Sequence, residues 1–401
     1  MQAKTTLQKI KEVLTRGVEK IIEKESLLKK LKSGKKLRVK LGIDPTAPDL
    51  HLGNAVVLWK LKEFQDLGHT IILIIGDFTA RIGDPSGRFS LRKMLSEKEI
   101  KENMKAYELQ IGKILNLKKT KIIYNSRHLS NLRFSEMYRL LHFFSVNQIL
   151  ERDIFRKRRE LKKPIWLNEF FYPIFQAYDS VIVKADIEVG GSDQLFNMLI
   201  GRQLQPHFGQ PPQDIITVRI LVGTDGKQKM SKSFNNYIGI NESAKEQFGK
   251  LMSIKDEAIS EYFELCTRLP MTEIKRDISL LKTDKINPRD LKAKLAREIV
   301  FLYHGKEAAL MAEEEFNRIF KEKKLPSEMT EVKIKERFLN ILDLLTKTRL
   351  VNSKSEAKRL ISQKAVRIDG VLKEDWREMI EIEKGTTVKI GKRKFAKINP
   401  H

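Results

Sequence analysis

Residues 70–76 read Thr-Ile-Ile-Leu-Ile-Ile-Gly, and no other stretch restricts the fold of this chain as tightly. Apolar residues here do not alternate with polar ones, so neither face of the segment is built to meet water. A strand buried on both faces belongs inside a parallel sheet covered by helices on each side. The neighbouring segments supply such a sheet. Residues 37–43 and 121–124 predict further short strands, and a helix is expected over about 53–67 with Gly68 ending it. Ser96-x-x-Glu99 has the form of a capping box and opens a helix running to about Leu115. Strand–helix–strand alternation implies an α/β, doubly wound parallel sheet, with ligands at the carboxyl ends of its strands.

The flanking regions read differently. Leu7, Ile10, Leu14, Val18, Ile21 and Ile22 recur at helical spacing, which predicts an amphipathic helix with breaks over 5–32. Residues 134–178 are helical in pattern and rich in aromatics, and 181–184 and 216–222 predict two more strands. Helical periodicity dominates after Ile240 to about Lys323, and Leu325-Pro326-Ser327 begins a linker. The last part predicts helices at 339–346 and 354–363 and short strands broken at Asp369-Gly370 and Lys384-Gly385. The expected organisation is a Rossmann-like domain over 1–240, a helical domain over 241–325, a linker over 326–333 and a small α+β domain over 334–401.

Charge narrows the partners. Lys and Arg number 77 against 52 Asp and Glu, a net +25, which favours a polyanion such as nucleic acid. Residues 334–401 carry 17 basic and 9 acidic side chains, about twice the average charge density of the chain. The lone Cys266 excludes a disulfide framework, and no Cys/His cluster has zinc spacing. Apolar runs are too short for a membrane span, and the acidic residues near the amino terminus argue against a secretory or transit signal. A cytoplasmic protein is expected.

Several segments have the residue types that chemistry needs. In Asp44-Pro45-Thr46-Ala47-Pro48-Asp49-Leu50-His51-Leu52-Gly53-Asn54 the prolines force a non-helical approach, and His51 arrives where a helix starts. First-turn N–H groups and the helix dipole there suit an anion, although helix capping alone explains the segment about as well. Gly223 to Ser233 forms a loop after a strand, with Lys227, Lys229 and Lys232 available to close over a phosphate; a solvated basic loop is the plainer reading. Asp84, past the 70–76 strand, can hold an ammonium or simply form an Asp-Pro turn. Tyr172, Gln176 and Asp179 share one helical face, where buried polar groups are costly without a ligand or partners. Gly190-Gly191-Ser192-Asp193-Gln194 precedes a helix and offers Asp193 to a ribose, or Ser192 as a cap.

His-Leu-Gly-Asn at 51–54 and Lys-Met-Ser-Lys-Ser at 229–233 resemble the two motifs of class I aminoacyl-tRNA synthetases. With DPTAPDLHLGN, IGDPSGR, YPIFQAYDS at 172–180, VGGSDQ and the basic tail, essentially the whole chain resembles the bacterial tyrosyl-tRNA synthetase family, and residues 334–401 its S4-like RNA-binding domain. The resemblance implies a tyrosine–tRNA ligase that activates L-tyrosine with ATP to tyrosyl-adenylate and pyrophosphate, then charges tRNA(Tyr). It further implies a homodimer, Mg2+ carried with ATP, and no protein-ligated metal.

Position by position, the resemblance assigns Asp44, Thr46, His51, Gly53 and Asn54 to ATP, with Lys229, Met230 and Lys232 on the closing loop. Gly191, Asp193 and Gln194 would face the ribose and the reacting carboxylate, while Arg88 and Arg92 would reach pyrophosphate. Asp84, Tyr172 and Gln176 would hold the α-ammonium of tyrosine, and Asp179 its phenol. His51, Asn54, Lys229 and Lys232 would be catalytic. Lys354, Lys358, Arg359, Lys364 and Arg367 would bind RNA, with the basic stretch 152–163 a second candidate surface. Phe143, Phe144, Val146, Phe170 and Phe171 are either a dimer interface or core. Two positions depart from the family pattern: Asn54 stands where His is usual, and Lys40 where many relatives have a tyrosine touching the substrate phenol. A tryptophanyl synthetase, another adenylate-forming enzyme and an inactive RNA binder are the competing readings.

Overall fold

The computed structural model describes residues 5–86, 95–321, 329–391 and 394–400, so Arg88 and Arg92 lie outside the described residues. The chain divides into two compact units, Met1–Ala312 and Glu313–His401. In the first, the described residues form a sheet of six strands: β1 (Val18–Ile22), β2 (Arg38–Ile43), β3 (Thr70–Ile75), β4 (Thr120–Tyr124), β5 (Ile187–Gly191) and β6 (Asp214–Val218). Their spatial order is β1-β6-β5-β2-β3-β4, parallel throughout except that β1 runs antiparallel to β6. Ile71 to Ile75 of β3 are all buried, as the unbroken apolar run requires.

Local signals set the helices of this unit. The helix Leu52–Asp66 starts directly after His51 and stops at Leu67, with Gly68 in the left-handed region at φ 89°. The Ser96 hydroxyl accepts from the Glu99 N–H at 3.2 Å, and Glu99 accepts from the Ser96 N–H at 2.8 Å, opening the helix Glu97–Ile111.

Two segments correct the pattern reading. Val18–Ile22 is a strand rather than part of a helix. Gly17, at φ 63°, separates it from the helix Thr6–Val13, and pairing with β6 settles the strand. Residues 181–184 are not a strand. They end the helix Asn168–Val183, with Lys184 in the left-handed conformation at φ 50°, and the strand comes later as β5. Burial of Val181 and Val183 on that helix outweighs the strand preference of β-branched residues. The strand expected over 216–222 sits earlier, as β6.

From β2 the chain builds β3 and β4 on one side, then returns to place β5 and β6 on the other. The crevice beyond the carboxyl ends of β2 and β5 is thus the topological switch point where open α/β sheets bind ligands. Helices continue from Ala244–Leu251 through Pro288–His304 to Lys306–Phe320.

The second unit is built on β7 (Thr330–Ile334), β8 (Phe338–Asn340), β9 (Val366–Ile368), β10 (Val371–Leu372), β11 (Met379–Glu381), β12 (Thr387–Ile390) and β13 (Lys394–Pro400). Five of these form a sheet ordered β10-β9-β12-β13-β7, and β8 pairs with β11. Asp369 and Gly370 both have positive φ, 48° and 81°, and turn β9 into β10 as the sequence indicates. The helices Ile341–Lys347 and Lys354–Ser362 bury Ile341, Leu344, Leu345, Ala357 and Ile361 with Val388 and Ile398.

Candidate active site

A cavity of about 340 Å³ opens at the switch point. Asp44 and Thr46 follow β2, while Gly191, Asp193 and Gln194 follow β5; His51, Gly53 and Asn54 come from the first helical turn, and Lys229 and Met230 from the loop after β6. Asp84, Tyr172, Gln176 and Asp179 complete the lining. Residues separated by some 180 positions therefore meet around one space of ligand size.

One end is rich in acceptors. The Tyr172 hydroxyl donates to Asp44 Oδ2 at 2.9 Å, and the Thr79 hydroxyl donates to Asp44 Oδ1 at 2.7 Å. Burial, with Asp44 and Asp84 nearby, holds the Tyr172 phenol well above its ordinary pKa, so it remains a donor to Asp44. Gly76 is required here, because a Cβ would stand 1.9 Å from Asp44 Oδ1. Gln194 donates to Asp84 Oδ2 at 2.6 Å, and Arg152 donates to Asp84 Oδ1 at 2.5 Å. Burial pushes the Asp84 carboxyl up, but Arg152, Gln194 and Ser86 outweigh it and leave it below its ordinary pKa, hence ionised. Asp179 Oδ1 lies 2.6 Å from His128 Nε2, and its Oδ2 accepts from Asn125 at 3.3 Å.

The opposite end faces His51. Burial, then the charges of Lys232 and Lys229, lower its pKa to about 4, so the imidazole is neutral at pH 7. Its Nδ1 is buried and has no partner among the described residues. The His51 N–H donates to Asn54 Oδ1 at 3.1 Å, which leaves the Asn54 NH2 as a donor. Because the folded pKa lies below the ordinary 6.5, stability from neutral His51 is present above about 6.5 and is lost as pH falls toward about 4. Urea unfolding at several pH values should show this acid-side loss reduced in His51→Gln; an equal slope in both proteins would contradict it.

The lysine loop is more ordered than its glycines suggest. Gly223 N–H donates to the Gln228 carbonyl at 2.7 Å, and Met230 N–H to the Leu221 carbonyl at 2.8 Å. Buried Asn236 staples the turn, donating to Asp225 Oδ2 at 3.0 Å and to the Lys229 carbonyl at 3.1 Å. Lys229 pairs with Asp193 at 3.2 Å, and Lys232 with Asp49 at 3.1 Å.

Elsewhere the structure divides the expected surfaces. Within 152–163, Arg152 and Arg158 are buried and paired with Asp84 and Glu169, so two of its cations face inward. Phe143, Phe144 and Phe170 pack against a core cluster, whereas Phe134, Tyr138, Val146, Leu161 and Leu167 are exposed. In the second unit Lys354, Lys358, Arg359, Lys364 and Arg367 are all exposed. Lys364 pairs with Glu374 at 2.8 Å, which raises its pKa, and Lys358 lies 4.0 Å above the Trp376 ring.

No local spacing advertised Asn125, His128, Arg152, Glu188 or Asn236, because each acts on a residue distant in sequence. Among the described residues no helix is long and apolar enough to cross a membrane.

Residues 32–321 fit the family described as class I tRNA synthetases (W and Y), and residues 321–398 the C-terminal domain of tyrosine–tRNA ligases. The tyrosine–tRNA ligase of Thermotoga maritima is 50% identical over 96% of both chains. That of Carboxydothermus hydrogenoformans is 51% identical over 96% of this chain and 97% of its own. A tyrosyl-tRNA synthetase structure from Archaeoglobus fulgidus, complexed with L-tyrosine, shares the fold at a TM-score of 0.62 and 22% identity, covering 77% of this chain and 100% of that one. On this identity across nearly the full length, the chain belongs to the tyrosine–tRNA ligases of the class I tRNA synthetase family.

Proposed function

We propose that the chain activates L-tyrosine with ATP, as tyrosyl-adenylate with release of pyrophosphate, and transfers the tyrosyl group to the terminal adenosine of tRNA(Tyr). The observation that carries this reading is one cavity with acceptors at one end and His51, Asn54 and Lys229 at the other, with Lys232 close enough for its charge to act on His51. Tyr172, Gln176 and Asp84 offer acceptors to an α-ammonium, and Asp179 offers a carboxylate to the phenol. Asp193 and Gln194 face the ribose and the reacting carboxylate. His51, Asn54, Lys229 and Lys232 meet the phosphates, joined by Arg88 and Arg92.

The tyrosine carboxylate attacks the α-phosphorus in line, the bond to pyrophosphate breaks, and no protein nucleophile takes part. Catalysis then comes from positioning and from donors aimed at charge developing on phosphate. Mg2+ travels with ATP. His51 acts as a neutral group, consistent with its depressed pKa.

Exchange of pyrophosphate into ATP, measured with tyrosine, tryptophan and phenylalanine in parallel, tests the reading. Tyrosine-dependent exchange supports it, and exchange driven by tryptophan alone rules it out.

The exposed cations of the second unit suit the tRNA backbone, and the protein acts in the cytoplasm where tRNA is charged. Replacing Lys358, Arg359 and Lys364 together by alanine should lower the slope of log affinity against log salt by roughly one for each lost phosphate contact. An unchanged slope in filter binding would place the tRNA elsewhere. The exposed apolar residues Phe134, Tyr138, Val146, Leu161 and Leu167 suit a second copy of the chain, and sedimentation of Phe134→Asp as a monomer would support that dimer.

A further inference from the structure

Lys40 in β2 and Glu188 in β5 are register partners, Glu188 in the lining of the cavity and Lys40 outside it, and their side chains are 0% and 1% exposed. Lys40 Nζ lies 2.9 Å from Glu188 Oε1. Its other donors go to the Ser180 hydroxyl at 2.6 Å and the Gln176 carbonyl at 2.8 Å. An ammonium has three N–H bonds, so Lys40 keeps none for a ligand. Glu188 is equally saturated. Its Oε1 also accepts from Gln176 Nε2 at 3.1 Å, while Oε2 accepts from the Ser180 hydroxyl at 3.2 Å and from Gln213 Nε2. Such a buried pair is weak evidence for stability, since an apolar pair of similar volume often does as well.

What the pair controls is the amide of Gln176. An amide can offer a ligand either its NH2 or its oxygen. With Nε2 tied to Glu188, Oε1 is the end left for the cavity that Gln176 lines. The nearby groups match it in polarity: the Tyr172 hydroxyl donates its hydrogen bond to Asp44, leaving its oxygen lone pairs as acceptors, and Asp84 is ionised. An amide turned the other way would set N–H groups against a cation.

We propose that Lys40 and Glu188 are positioning residues for substrate recognition. Glu188 fixes Gln176 with its oxygen toward the substrate α-ammonium, and Lys40 holds Glu188 and the helical turn that carries Gln176. This rests on the tyrosine reading above.

The test is Glu188→Gln, whose amide can donate back to Gln176 and so releases its orientation. The KM for tyrosine is measured with inhibition constants for tyramine, which keeps the ammonium, and 3-(4-hydroxyphenyl)propionate, which lacks it. Tyrosine and tyramine should weaken about 10- to 100-fold while the propionate and ATP change less than about threefold. The swap Gln176→Glu with Glu188→Gln should restore tyramine binding, because a carboxylate at 176 is an acceptor in either orientation. Equal loss for all ligands, no loss, or failure of the swap to restore binding overturns the proposal. Absence of tyrosine-dependent exchange in the unmutated protein would instead overturn the tyrosine reading, and this proposal with it.

Discussion

Replacing Asp179 by alanine is expected to abolish most of the preference for tyrosine over phenylalanine. The two substrates differ by one hydroxyl, and rejecting the smaller one needs a buried group left unpaired when the hydroxyl is missing. Asp179 lines the cavity wall; His128 at 2.6 Å and Asn125 at 3.3 Å take one acceptor site on each oxygen, and the carboxylate's remaining lone pairs are what a substrate hydroxyl would fill. Lys40 cannot substitute for it, because its three donors are already used. A hydrogen bond to a charged group contributes about 1.5–3 kcal/mol, so the ratio of kcat/KM values should fall by up to about 100-fold. The loss should appear both as weaker tyrosine use and as better phenylalanine use, because the substitution removes the group that phenylalanine would leave unpaired. Pyrophosphate exchange with both amino acids measures it, and an unaltered ratio would transfer discrimination to another group.

Lys232→Ala should lower the rate of activation by about 100- to 1,000-fold, as removal of one preorganised donor to a developing oxyanion does. Tyrosine affinity should move little, because Lys232 pairs with Asp49 near His51 and not with the residues around Asp84 and Asp179. Single-turnover formation of the adenylate separates the two effects. A rise in the tyrosine dissociation constant equal to the loss in rate would show that Lys232 acts on binding instead.

Legibility in the sequence followed the range of the interactions. Tyr172, Gln176 and Asp179 could be placed on one face because helical spacing is local, and the structure puts all three at the cavity. The Ser96–Glu99 cap and the buried strand β3 were readable for the same reason. Val18–Ile22 was not, since three apolar residues in five fit a helix as well as a strand and only pairing with β6 decides. Val181 and Val183 misled in the opposite direction, because burial on a helix overrode their β preference. The partners of the site were illegible altogether. Arg152 reaches Asp84 across 68 positions, and Asn125 reaches Asp179 across 54. Glycines in the 223–233 loop suggested looseness, yet Asn236 ties the turn together.

The sheet order has a consequence for the growing chain on the ribosome. β2, β3 and β4 can pair as soon as residue 124 has emerged, but the other edge of β2 finds no partner until β5 at Ile187–Gly191. Through that interval a nascent chain carries an open edge next to apolar β3, a template for mispairing with other chains. Of the intervening residues 125–186, 42 lie in helices and none in a strand, and local contacts of that kind form fast. Chains halted near residue 186 should therefore engage chaperones more strongly than chains halted past Val218.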